Sequence, residues 1–228
     1  AVVGEGSLPM KPRVILSWSS GKDAAWTLHV LRQDPSVEVG ALLTTFNEAA
    51  DRVAMHAVRR SLVAAQARAA ALPLIEVFIP SPCPNELYEA RLRDSMTRAR
   101  EDGFTHVAFG DLFLEDVRRY REERLASAGL EPIFPLWGQS TARLARDMLD
   151  AGLQAIVTCV DPRQIDPALA GRAYDASFLE ALPPTADPCG ERGEFHTFCH
   201  AGPMFRTPIP AVSGEVVERE GFVFADVR

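Results

Sequence analysis

Positive charge is in short supply: 24 Lys and Arg stand against 31 Asp and Glu, for a formal net charge of -7 and a pI near 5.3. Proteins dedicated to nucleic acid gain most of their affinity from Lys and Arg meeting phosphates. The balance therefore argues against direct nucleic-acid binding and for a small-molecule substrate. Cysteine is also sparse. Cys83, Cys159, Cys189 and Cys199 lie far apart with no C-x-x-C pair, which argues against a zinc ribbon or a thioredoxin-type redox pair and fits a reducing cytoplasm. No apolar run approaches about 20 residues, and no basic segment followed by an apolar one opens the chain, so neither a membrane span nor a signal peptide is expected. Internal repeats and low-complexity tracts are absent. What is present suffices for a core: 228 residues, 47% of them hydrophobic, fit one large α/β domain or, by preference, a domain with an appendage.

The organising stretch is Val14 to Lys22. Val14-Ile15-Leu16 reads as a buried strand, Ser17 to Asp23 as a small-residue turn, and Ala24 to Leu31 as the body of a helix. Such a turn makes an anion site, because the first amides of a helix have no partner inside it and the dipole adds partial positive charge. Lys22 brings a full charge to the same place. The Walker A pattern is only partly met: Leu16 stands where its first Gly belongs, and Asp23, not Ser or Thr, follows the Lys. The hydroxyl that would hold Mg²⁺ in a P-loop NTPase is thus missing, which disfavours γ-phosphate chemistry of that type. The bland alternative is a serine-rich turn with a surface Lys.

In chain order, residues 1–12 read as a flexible tail. A second strand is expected over Val37 to Thr45, then a crossover helix through Met55, Val58, Leu62, Ala65, Ala69 and Leu72. A third strand, Leu74 to Ile79, stops at Pro80-Ser81-Pro82, and a helix follows to about Gly103. Thr105 to Phe109 is a fourth strand breaking at Gly110-Asp111; Leu114 to Ala128 is helical, capped by Gly129; Glu131 to Phe134 is a short fifth strand. Five strands alternating with helices imply a parallel α/β sheet covered on both faces. Ligands then sit at the carboxyl ends of the strands, where the Ser-rich turn, Thr44-Thr45, Pro80 to Pro84 and Gly110-Asp111 converge. Past Pro135 a helix near 139–151 and a strand at Gln154 to Val160 precede a stretch, Asp161 to Phe205, rich in Pro, Gly and polar residues. Ile209 to Glu218 and Phe222 to Val227 read as a terminal hairpin. A boundary near 135 is expected, giving an ATP-binding domain over 13–135 and a smaller α+β domain over 136–228.

Ser19-Ser20-Gly21-Lys22-Asp23-Ala24 resembles the Ser-Gly-Gly-Lys-Asp-Ser PP-loop of the N-type ATP pyrophosphatases, which cleave ATP between the α and β phosphates. Ser20 replaces a Gly, tolerable if its φ is negative, and Ala24 replaces the final Ser. Gly110-Asp111-Leu112-Phe113-Leu114-Glu115-Asp116 with Arg118 to Glu122, then Gly171 to Asp175, then Asp187-Pro188-Cys189-Gly190-Glu191 with Gly193 to Phe198, are similar to the diphthine-ammonia ligase group. The resemblance implies a HUP-type (Rossmann-like) ATP-binding sheet and a C-terminal domain that completes the substrate side. It also implies ATP-dependent amidation, by ammonia, of the diphthine carboxylate on elongation factor 2, with AMP and pyrophosphate as products. Relatives in organisms without diphthamide are described only as ATP-binding proteins or adenine nucleotide alpha hydrolases, so the acceptor stays open, as does a homodimer.

On that basis Ser19, Ser20, Gly21, Lys22, Asp23, Thr44, Thr45, Gly110 and Asp111 are candidates for ATP. Lys22, Asp23, Glu191, Glu194 and His196 are candidates for catalysis, and Arg118, Arg121, Cys189, Gly190 and Thr197 for the substrate. Asp23 or Asp111 would hold Mg²⁺, which needs only one or two carboxylates beside phosphates. Each has a plainer account. Asp111 would be a helix N-cap, Thr44 and Thr45 the end of a strand, and the arginines partners in i,i+4 pairs such as Arg118 with Glu122. Cys189, His196, Cys199 and His200 would ligate zinc, although their spacing matches no standard finger. Three other functions stand beside the ligase. A tRNA-modifying PP-loop enzyme would show paired cysteines or a basic extension. A binding module would lack turnover, and a hydrolase would make AMP and pyrophosphate alone.

Overall fold

A computed structural model of the chain describes residues 11–53, 57–80 and 82–228; residues 1–10 of the expected tail, Met55 and Ser81 lie outside them. β1 (Arg13–Ser17) is followed by α1 (Lys22–Gln33), β2 (Glu38–Asn47), β3 (Arg52–Val53), α2 (Arg60–Ala70), β4 (Leu74–Ile79), α3 (Asn85–Glu101), β5 (His106–Ala108), α4 (Glu115–Ala128) and β6 (Glu131–Ile133). The parallel strands lie in the order β4-β2-β1-β5-β6. β1 is central and its apolar run is fully buried because it faces a layer on each side. Val14 and Leu16 join one apolar cluster with Leu28, Val63 and Ala67, whereas Ile15 joins another with Met96, Ala99 and Leu125. That is the period-2 alternation of a strand covered on both faces.

Strand order reverses between β1 and β5, so the crevice at this switch point is where an α/β sheet binds its ligand. The five expected parallel strands are joined by a sixth. β3 runs antiparallel to Phe46 and Asn47 at the end of β2, in the stretch between the expected second strand and the expected crossover helix. Asn47 turns the chain there, its Oδ1 accepting from Ala49 N at 3.0 Å and Ala50 N at 3.3 Å, which is the usual Asx route out of regular structure. Helix α2 consequently starts at Arg60, with Val58 before it and Leu72 after it.

After α5 (Thr141–Asp150), β7 (Gln154–Val160), α6 (Ala176–Ala181), β8 (Phe195–Ala201), β9 (Ser213–Arg219) and β10 (Phe222–Val227) complete the chain. These four strands form an antiparallel sheet in the order β8-β7-β10-β9. The terminal hairpin is shorter than expected at its start: Ile209 belongs to the connection, its N–H bonded to His200 O at 2.7 Å. Glu220 and Gly221, with φ of 52° and 80°, close it as the two-residue turn that suits twisted strands. β8 was not foreseen within the Pro- and Gly-rich stretch. Val157, Phe195 and Phe198 share one apolar cluster with Val14 and Leu16 of the first sheet, so the second sheet packs on the α1–α2 side of the first.

Candidate functional site

The turn after β1 stays beside β2: Trp18 N donates to Leu43 O at 2.7 Å, and Thr44 Oγ1 donates to Trp18 O at 2.7 Å. Thr44 and Thr45 do not end their strand, which continues to Asn47. Backbone groups point alternately to the two neighbours of a strand, so Thr45 turns its amide and carbonyl to the side on which Leu43 meets Trp18, just past the end of β1. Ser20 corrects the expectation of negative φ: it sits at +72°, the left-handed region that suits the Gly it replaces. It is wholly buried, and its Oγ has no hydrogen-bond partner among the described residues.

β8 lies directly on this turn. Lys22 N, the first amide of α1, donates to Thr197 Oγ1 at 3.0 Å, so the helix is capped from 175 residues away. A Cβ at Gly21 would lie 3.2 Å from Thr197 O, so a side chain there would crowd the strand that caps the helix. Ser19 Oγ accepts a long 3.4 Å bond from Gly21 N. Thr197, expected on the substrate side, is thus a helix cap, and its seven-residue strand positions the loop.

Lys22 is 2% exposed. Its Nζ donates to Asp23 Oδ2 at 2.8 Å and Oδ1 at 3.1 Å and to the Cys189 carbonyl, with the Tyr174 and Phe195 rings 5.4 and 5.3 Å away. Burial alone would lower its pKa, but the charge of Asp23, with Cys189 and Asp187 beyond, reverses this and holds the pKa above its usual value. A buried cation so surrounded stays charged at neutral pH.

Across the switch point, Gly110 packs so closely on α1 that a Cβ there would meet Asp23 O at 3.1 Å. Asp111 caps no helix; the residue before α4 is Leu114. Its carboxylate instead receives Arg121 Nε at 2.7 Å and Nη2 at 3.4 Å, which answers the proposed anion-clamp role of Arg121 internally and leaves Asp111 poorly placed for Mg²⁺. Arg118 makes its i,i+4 pair with Glu122 at 2.8 Å while its guanidinium stacks 4.8 Å from both Phe134 and Trp137.

The acidic block divides sharply. Glu194 is 1% exposed, with its two oxygens accepting from Asp187 N at 2.8 Å and Arg192 N at 2.9 Å; it is a loop brace and gives up its catalytic candidacy. Glu191 faces the crevice, Oε1 accepting from Leu112 N at 2.7 Å. Burial, reinforced by Asp23 and Asp111 and opposed by the Leu112 amide, pushes its carboxyl up to about 7. His196 is drawn down to about 4 by burial and by Lys22, so its ring is neutral at neutral pH.

Cys189 and Cys199 are buried, and burial pushes both thiols well up, which disfavours either as a thiolate nucleophile. Among the described residues no group of three or more His, Cys, Asp or Glu is arranged to hold a metal ion, nor is any helix long and apolar enough to cross a membrane. Gly190, φ +71°, lets Phe195 O approach to 2.8 Å of where a Cβ would be. Two contributors were overlooked in the sequence although both lie in quoted motifs: Asp187, whose Oδ2 accepts from Glu191 N at 3.0 Å, and Tyr174, whose OH donates to Pro188 O at 2.9 Å. Their place inside those blocks was the available signal.

The turn, Gly110-Asp111 and the 187–197 block therefore form one site built by both sheets. The chain matches two family models, Diphthamide synthase N-terminal domain over residues 12–132 and Diphthamide synthase C-terminal domain over residues 140–226. Proteins named diphthine--ammonia ligase from Bos taurus and Homo sapiens are each 32% identical to it over 120 residues, covering 50% of this chain and 45% of theirs. One of that name from Mus musculus is 28% identical over 123 residues. The chain thus spans about half the length of the curated relatives it matches. Because the N-terminal model alone takes in more than half of the residues and the C-terminal one nearly all the rest, the chain belongs to the diphthamide synthase family.

Proposed function

We propose that this chain is an ATP-dependent ligase that amidates a carboxylate with ammonia, as the names of its relatives indicate. The supporting observation is that the block holding Glu191 and Thr197 is bonded directly to the β1–α1 turn, so one crevice offers both an anion-binding backbone and a proton acceptor. In the first step a carboxylate oxygen attacks the α phosphorus of ATP and the bond to the β phosphate breaks, releasing pyrophosphate. The charge developing on pyrophosphate falls to Lys22 and to the turn amides, a fixed electrostatic term that serves the transition state. Thr45, with its backbone turned toward the crevice, is placed for the adenine edge. In the second step ammonia attacks the acyl carbon, AMP leaves with the electron pair, and one proton must be removed.

Glu191 suits that proton, because a base poised near 7 is half ionised at neutral pH and retains proton affinity. Asp23 is paired with Lys22 as Asp111 is with Arg121, but its side chain is the more exposed, 27% against 17%, so it is the carboxylate that would hold Mg²⁺ beside the phosphates. The acceptor in this reading is a diphthine-like carboxylate carried on a protein such as an elongation factor. The test supplies ATP labelled at the α phosphate, Mg²⁺, ammonium and that acceptor. Labelled AMP and an amide, both dependent on acceptor and ammonium, are expected. Labelled ADP, or AMP at an undiminished rate without acceptor, would overturn the ligase reading.

A further inference from the structure

Gln66 lies on α2, outside every motif considered above, and is completely buried. Its carboxamide is fully used: Oε1 accepts from Trp18 Nε1 at 2.8 Å, while Nε2 donates to Ser20 O at 2.9 Å and to Cys199 O at 2.6 Å. The orientation is fixed by chemistry, because an indole N–H can only donate and the two carbonyls can only accept. Cys199 N also donates to Ser20 O, at 2.9 Å. One side chain thus joins the β1–α1 turn at two points to the strand that caps α1.

The bond to Ser20 O matters for the next amide. A trans peptide is planar, with its C=O and N–H pointing in opposite directions. Holding Ser20 O inward, against Gln66 and Cys199, therefore turns the Gly21 N–H outward, to the side where an anion would be bound and where it now makes only the long 3.4 Å bond to Ser19 Oγ. The same bonds retain Ser20 at φ +72°, a conformation that a residue with a Cβ adopts at a cost and keeps only where its surroundings impose it. Ser20 Oγ gives nothing back, having no partner among the described residues.

We infer that Gln66 is a positioning residue for ATP: it imposes the left-handed turn at Ser20 and so aims the Gly21 amide at the polyphosphate. This rests on the proposed ATP site and deepens it. The experiment measures ATP affinity by calorimetry, and thermal stability separately, for Gln66→Met, Ser20→Gly and the double variant. Gln66→Met is expected to raise the ATP dissociation constant roughly tenfold or more, from the loss of buried bonds that shape the turn. Adding Ser20→Gly should recover most of that affinity, because Gly adopts the conformation unaided. It should not restore the melting temperature, since the Trp18 indole and Cys199 carbonyl still lack their partner. A merely structural Gln66 would lower the melting temperature of Gln66→Met and leave its ATP affinity unchanged.

If Gln66→Met does not fold, Gln66→Asn withdraws the same groups by one methylene and carries the same comparison. Unchanged ATP affinity in the Gln66 variant, or a loss that Ser20→Gly fails to reduce, overturns the inference. Lys22→Ala separates the two levels. If it binds ATP like the parent, the ATP site itself is wrongly placed; if it loses binding while Gln66→Met does not, only the role of Gln66 falls.

Discussion

The β1–α1 turn and the Asp187–Thr197 block meet in one crevice but work by different means. The turn acts through its backbone. Its side chains are small or buried, the Ser20 hydroxyl finds no hydrogen-bond partner among the described residues, and the chemistry lies in amide direction plus the single charge of Lys22. The block acts through how each carboxylate is engaged: Glu194 is saturated by two amides, Asp187 holds the amide of Glu191, and Glu191 faces the crevice with its pKa raised by burial. Residue type predicts little in either region. Two glutamates three positions apart have opposite fates because one points into the loop and the other across to Leu112.

The largest effect should come from removing the charge at the turn. Lys22→Ala is expected to lower AMP formation about 100-fold or more, in the range of lost transition-state charge stabilisation, as measured by single-turnover release of labelled AMP. Next is the proton acceptor. Glu191→Gln should lower amide formation roughly 10- to 100-fold and remove the limb of the pH–rate profile near 7, while ATP binding is kept. A parent profile flat from pH 6 to 8 would count against the assignment. Linkage gives Glu191 a second signature. Its folded pKa lies above the unfolded value, so the folded state binds more protons between about 4.5 and 7, and its contribution to stability falls as pH rises through that window.

Glu194→Ala should reverse the pattern, destabilising by about 2–4 kcal/mol because two loop amides lose their acceptor, as read from urea unfolding. Equal damage to activity and stability from Glu191→Gln and Glu194→Ala would erase the contrast between them. The smallest effect belongs to the tie between the loop around β3 and the last strand. There Asp226 receives Arg52 at 3.0 Å and Arg59 at 2.6 Å. Their side-chain hydrogen bonds, first Arg59 and also Arg52, hold its carboxyl below the usual range against burial. That stability is present above the ordinary carboxylate pKa and is lost as pH falls through the lower folded value. Asp226→Asn should cost about 1 kcal/mol at neutral pH, measured as a shift of the urea midpoint.

Much of the fold was legible because its signals are local. Val14-Ile15-Leu16 is apolar without alternation, as a strand buried on both faces must be, and Gly129 with φ +70° ends α4 where a helix-stop residue was read. β3 was hidden because a two-residue strand carries no periodicity, and β8 because its partner, β7, lies more than 30 residues earlier. The site was legible as a set of motifs but not as roles. Nothing in the order of residues says that Asp111 meets Arg121, that Thr197 caps α1, or that Gln66 holds Ser20.

The sequence by itself determined the strands and helices of the parallel sheet, β3 apart, and which stretches reach the strand ends, since those follow from hydrophobic period, turn residues and caps within a few positions. Only the tertiary structure decided which polar groups are left to act. Hydrogen-bond satisfaction is settled by partners up to 175 residues away, and side-chain direction decides which of two chemically equal carboxylates braces a loop and which faces the crevice.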